Sequence, residues 1–95
     1  VWHDLRWDPS KDLANQRKHG LGFTEAASAL RDPLLIILED RQHSSDEARF
    51  IAIGTTQRGR LIMLVIVEPD TDTARIISAR RLERRERHAY ENDPR

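Results

Sequence analysis

RLIMLVIVEPDTDTARIISARRLERRERHAY, residues 60–90, passes from one β-strand signal through a turn to a second, and then to a helix signal. The run Leu61–Val67 is apolar throughout and rich in β-branched residues, with no polar alternation, so it reads as a central strand covered on both faces. EPDTDT (68–73) is short and turn-prone, and ARIISA (74–79) is a second strand, so the pair reads as antiparallel neighbours. From about Leu82 the pattern becomes helical up to Glu91, with Leu82, Ala89 and Tyr90 as its inner face.

Upstream, LLIILE (34–39) and RFIAIGTT (49–56) carry the same strand signature, and TQRGR (56–60) is a hairpin turn. The last three strands therefore form an antiparallel meander. DRQHSSDEA (40–48) is the longest irregular piece, where functional residues are favoured. Before Pro33 the period is helical. Asp8 caps a helix with Pro9 at its first position, and Gly20 stops it after His19. A second helix starts at Thr24 as its cap, runs through EAASALR and ends at Pro33. Trp2, Leu5 and Trp7 alternate loosely with polar residues, an edge-strand pattern. The expectation is a single α+β domain over residues 1–95: two N-terminal helices, a mainly antiparallel four-stranded sheet to which Trp2–Trp7 would add a fifth strand, and one C-terminal helix.

At 95 residues the chain supports one core, and with 38% apolar and 34% charged residues that core is thin enough for a partner to complete. There is no cysteine, which removes disulfides and thiolate metal ligation and fits a cytoplasmic setting. The apolar runs are too short to cross a bilayer, and no signal-peptide core opens the chain. Formal charge is zero overall, yet residues 1–74 hold 9 Lys/Arg against 12 Asp/Glu while residues 75–95 hold 7 against 4. A polyanion is expected to dock at the C-terminal fifth.

The four histidines, His3, His19, His43 and His88, form no paired metal-ligand spacing, and the glycines stand alone at turns rather than in a phosphate loop. No nucleophile elbow is present. Arginine, lysine and histidine at strand ends, helix ends and one loop suffice for RNA cleavage through the 2′-hydroxyl. That reaction needs a base, an acid and cations around the pentacoordinate phosphate, but no metal or cofactor. Histidine moves protons near neutral pH, and arginine clamps phosphate at two points.

Each candidate has a second reading. His19, with Lys18, either meets the dipole at a helix C-terminus or serves the site. His43 either orders its loop by bonding Ser44, Asp46 or Glu47 or takes part in chemistry. Arg49 either pairs with Glu47 or contacts a phosphate, as Arg60 at the hairpin end could. Tyr90 either anchors the last helix or reaches the site edge. His88, Arg84, Arg85 and Arg87, interleaved with Glu83 and Glu86, read as a salt-bridged solvated surface. Arg80 and Arg81 differ, because they fall where the last strand ends and alternation sends one to each side of the sheet. Arg80 is the first candidate for a phosphate clamp, to be met by His19 and His43 across one cleft, and Arg81 is a further RNA contact.

The chain resembles the BrnT family of bacterial type II toxins over nearly its whole length. WDPSKDLANQRKHGLGFTEAASAL is similar to the family's opening, with Asn15, Lys18, His19, Gly20, Phe23, Glu25 and Ala26 in place. Asp40 with HSSDEARFIAIG meets the middle signature, and Arg75–Arg80, Glu86 and Tyr90 meet the closing one. The resemblance implies a RelE-like ribonuclease that arrests growth. It also implies a BrnA-like antitoxin partner carrying a ribbon-helix-helix DNA-binding domain, in a complex with a 2:2 core that reaches operator DNA only through the antitoxin. The chain departs from the family at Ile66 and Val67, where an aromatic or His followed by Thr is usual. This leaves two functions open: an active endoribonuclease, or a catalytically weakened homologue that binds antitoxin as a co-repressor module.

Overall fold

The computed structural model describes residues 2–43, 47–70 and 72–92. Five strands, β1 (Asp4–Trp7), β2 (Ile36–Glu39), β3 (Ala48–Thr55), β4 (Leu61–Glu68) and β5 (Thr73–Arg81), form one sheet in the order β1-β5-β4-β3-β2. β2 to β5 are an antiparallel meander, and β1 pairs in parallel with β5 as the fifth strand. The sheet is therefore mixed, closed at one edge by the first strand beside the last. Asp8 then caps α1 (Pro9–His19), its carboxylate accepting from the Ser10 N–H at 2.9 Å. Gly20, in the left-handed region at φ 64, donates its N–H to the Gln16 carbonyl at 2.8 Å and ends α1.

The second helix differs from its sequence reading. α2 spans Phe23–Ser28 with Gly22 as its cap, and Ala29–Arg31 continues it as a 3₁₀ turn. Gly22 has no side chain to cap with, and Asp12 of α1 substitutes, accepting from the Phe23 N–H at 2.8 Å. The helix start is thus fixed by a residue 11 positions earlier, which local cap rules do not detect. The C-terminal helix α3 (Arg84–Glu91) begins two residues later than Leu82, because β5 extends through Arg81 and Glu83 is the cap.

Against expectation, β4 is covered closely on one face only. Ile62, Leu64 and Ile66 are fully buried with Ala52, Ala74, Ile76 and Ala79, beneath Leu21, Phe23, Ala26 and Ala29 from the helical segment. Leu61, Met63 and Val65 point the other way and are only half-buried. The helical layer sits tightly on the covered face: a Cβ at Gly54 of β3 would lie 2.7 Å from the Ala29 carbonyl oxygen, so only glycine fits there. Asn15, 6% exposed, ties α1 to β5. Its amide donates to the carbonyls of Leu21 and Ala79 at 2.8 Å each and accepts from the Ala79 N–H at 3.2 Å.

Opposite Val65 and Ile66, β5 carries a register shift in which Val65 pairs with Ser78 and Ile66 with Ile76, so Ile77 is the extra residue of a bulge. The bulge resets the alternation. Ala74 and Ile76 face the helices before it, and Ala79 and Arg81 face them after it, opposite Leu64 and Ile62.

Candidate functional site

At the end of the sheet where β3 stops, β4 starts and β5 finishes, the hairpin turn is bound to α2 by a partly buried polar knot. Arg60 donates to both carboxylate oxygens of Glu25, from Nε to Oε2 at 2.7 Å and from Nη2 to Oε1. The Thr56 hydroxyl, on a residue 4% exposed, donates to the same Oε2 at 2.9 Å and accepts from the Arg58 and Arg60 N–H groups. Gln57 N–H donates to the Ser28 hydroxyl at 2.9 Å. Hydrogen bonds from the Arg60 guanidinium foremost, then from the Thr56 hydroxyl, hold the Glu25 carboxyl below its ordinary pKa against the opposing effect of burial, and the Arg60 charge adds to them. Glu25 is thereby kept as an anion that fixes the arginine in place.

Arg60 in turn lines a cleft of about 230 Å³ with Gly59, Leu61, Arg81, Leu82 and Arg87. Among the described residues, the Arg81 and Arg87 guanidiniums have no hydrogen-bond or ion-pair partner, so this cleft presents uncommitted positive charge next to a fixed arginine. The neighbouring hollow, about 480 Å³, runs along the other side of Arg60 past Gln16, Gly20, Thr24, Gln57 and Arg58. His19 belongs to the same end, since the carbonyl of the next residue, Gly20, accepts from Arg60 Nη1 at 3.4 Å. It also lies one turn beyond Asn15 on α1, and Asn15 is bonded to Ala79, two residues before Arg81 on the same side of β5. Lys18 precedes it and is exposed.

Arg80 is not at this cleft. Its side chain lies on the opposite face, beside Met63, and forms a two-point pair with Glu86 at 2.8 Å for each bond. Glu86 also accepts from the Glu83 N–H at 2.8 Å, completing a reciprocal cap of α3. These bonds, the Arg80 one foremost, hold the Glu86 carboxyl down to about 2. His43 is far from both arginines. It follows β2, at the end of the sheet where β3 begins, and its Nδ1 lies 2.9 Å from the Asp40 carboxylate. Arg49 is at that end too, paired in register with Val67, roughly 20 Å along β4 from Leu61 by strand geometry. The structure thus does not gather Arg80, His19 and His43 across one cleft.

Other expectations are redistributed as well. Ser44 and Asp46, proposed partners of His43, lie outside the described residues. Glu47 pairs with Arg75 at 3.2 Å. The Tyr90 hydroxyl donates to the Leu34 carbonyl at 3.3 Å, linking α3 to the segment before β2. Arg84 and Arg85 are exposed as expected, but α3 shows no internal ion pair among the described residues, because Glu86 turns to Arg80 and Glu83 to the cap. Arg87, read as part of a solvated face, lines the cleft instead, and Arg58 lies in the adjoining hollow. The signal for Arg87 was present: in ERRE (83–86) both glutamates sit at capping-box positions, which removes them as partners for the helix arginines. Ile66 and Val67, where the chain departs from the family pattern, are 0% and 5% exposed. Among the described residues, no group of three or more His, Asp or Glu side chains could hold a metal ion, and no helix is long and apolar enough to cross a membrane.

Fold and cleft together define a small α+β protein with a cationic cleft at one end of a mixed sheet. A family model described as "Ribonuclease toxin, BrnT, of type II toxin-antitoxin system" matches residues 7–86, and the chain belongs to that family. The crystal structure of the Brucella abortus ribonuclease toxin, BrnT, shares the fold: TM-score 0.65, 23% identity, covering 85% of this chain and 97% of that one. No match was found among curated protein sequences.

Proposed function

We propose that this chain is an active endoribonuclease toxin that cleaves cellular RNA, without a metal ion, at the cleft formed by Arg60, Arg81 and Arg87, with His19 and Lys18 recruited from the C-terminal end of α1. The observation that carries this reading is the cleft itself: two uncommitted guanidiniums beside a third that Glu25 and Thr56 hold in position. In this mechanism the RNA's own 2′-oxygen attacks the adjacent phosphorus as a base takes its proton. The arginines stabilise the charge that develops on the non-bridging oxygens, and an acid protonates the departing 5′-oxygen, leaving a 2′,3′-cyclic phosphate. His19 is the proton-transfer group at this end of the sheet, and Lys18 adds positive charge for the incoming backbone. Arg80 is assigned to fastening α3 and His43 to ordering the loop through Asp40. Arg49 and Tyr90 stay outside the catalytic set.

The chain works in the cytoplasm as half of a toxin–antitoxin pair. Its partner is a BrnA-like antitoxin with a ribbon-helix-helix domain, which assembles with it around a 2:2 core and carries it to operator DNA. The test is RNA cleavage by purified protein in EDTA, with end-group analysis. Cleavage should persist and leave cyclic or 3′-phosphate ends, and Arg81→Ala should slow it at least about tenfold, the loss expected for one transition-state charge contact. Strict dependence on a divalent ion would remove the mechanism. Expression without growth arrest, in a chain that still binds its antitoxin, would instead favour the co-repressor reading.

A further inference from the structure

The face of the sheet away from α1 and α2 is apolar across three strands. Register places Ile36 and Leu38 of β2, Ile51 and Ile53 of β3, and Met63 and Val65 of β4 side by side on it. α3 overlies only part of this face and buries none of its own residues. Between α3 and the strands runs a groove of about 430 Å³ whose helix side is formed by Glu86, which is paired with Arg80, and by Ala89 and Tyr90. Leu38, at the rim, is 53% exposed. A contiguous apolar surface of this kind marks a binding site rather than a finished core.

Charge indicates what covers it. On the face Arg75 and Arg80 are already paired with Glu47 and Glu86, whereas Arg84 and Arg85 on α3 beside the groove are exposed and have no acidic partner among the described residues. At the Arg80 end the groove reaches Leu82, and Leu82 also lines the cleft of Arg60, Arg81 and Arg87. A second copy of this chain laid face to face would oppose these arginines to themselves. A segment with an apolar stripe and acidic flanks would meet them with opposite charge.

We propose that this groove is the docking site of the antitoxin. An amphipathic, acidic segment lays its apolar stripe on Leu38, Ile53 and Met63, and its acidic continuation passes Leu82 to neutralise Arg81 and Arg87 in the cleft. This rests on the toxin–antitoxin reading above. It adds where the antitoxin binds and how occupying one face silences a cleft on the other.

The probe is the purified product of the reading frame adjacent to the one for this chain, which the toxin–antitoxin reading expects to be a ribbon-helix-helix protein, titrated calorimetrically into the intact chain. Leu38→Glu and Ile53→Glu should each weaken binding at least a hundredfold, while Leu13→Glu on exposed α1 should change it less than threefold. RNA cleavage by Leu38→Glu should match the parent chain, showing that it is folded. Should Ile53→Glu not fold, hydrogen exchange on the parent complex decides: the amides of β2 and of residues 51–53 should slow at least tenfold, and those of α1 should not. Unchanged affinity for Leu38→Glu, or no protection of β2, overturns the proposal while leaving the toxin reading intact. Dimerisation of the free chain that Leu38→Glu abolishes, with antitoxin affinity unchanged, overturns it in favour of self-association. No complex with the parent chain sinks the toxin–antitoxin reading, and this proposal with it.

Discussion

On the covered face of the sheet, Ile62, Leu64 and Ile66 lie at zero exposure under the helices, while Met63 and Val65, one residue away on the same strand, remain half-buried on the other face. The same contrast separates two adjacent arginines. Arg81, on the covered side, opens into a cationic cleft, and Arg80, on the other side, is consumed by Glu86. The lesson is that a run of apolar residues in a strand is two interleaved sets, and each set answers to whatever packs on its own side. Leu61–Val67 looks uniform, but one set of its residues builds the core and the other builds a surface.

The strongest way to break this comparison is to truncate both sets. Leu64→Ala should destabilise the protein by about 3–4 kcal/mol in urea unfolding, the cost of a cavity in a packed core. Val65→Ala should cost about 1 kcal/mol. Equal losses would mean that both faces are core. Asn15→Ala should cost about 2–3 kcal/mol, because it leaves the Ala79 N–H and the Leu21 carbonyl buried without their partner. A value near zero in the same assay would show that α1 is not fastened there.

Activity separates the two arginines on a smaller scale. The tenfold loss expected for Arg81→Ala should be accompanied by less than about threefold for Arg80→Ala, compared as initial rates on one RNA. A larger loss at Arg80 would move the site to the other face. The smallest effect concerns α3. Glu86 is held near 2, below its usual 4.5, so its bond to Arg80 contributes stability that is complete above about pH 4.5 and is lost as pH falls towards 2. Amide exchange in α3 should therefore accelerate over that window before the β4 amides respond, and Glu86→Gln should flatten the dependence.

Much of the architecture was legible in the chain. Asp8-Pro9 and Gly20 delimit α1 through local backbone chemistry, and the β-branched runs after Pro33 declare the meander. The family resemblance pointed to the fold that the structure has. The start of α2 was not legible, because its cap is supplied across space by Asp12. The composition of the cleft was not legible either. The sequence pattern offers Arg60 and Arg81 as RNA contacts, but it favours Arg80 over them and puts Arg87 on a solvated surface.

The reason lies in a single residue. The sequence alone determined that two arginines end β5 and that alternation sends them to opposite faces. Counting by twos from Ala74 and Ile76 would put Arg80 with the helices and Arg81 away from them. The bulge at Ile77 reverses that assignment, and Ile77 itself carries no local signal, since a bulge arises from how two strands must twist to pair and pack. Local patterns fix periodicity because they depend on neighbours in the chain. Phase depends on partners across the sheet, so the tertiary structure alone decided which arginine reaches the cleft.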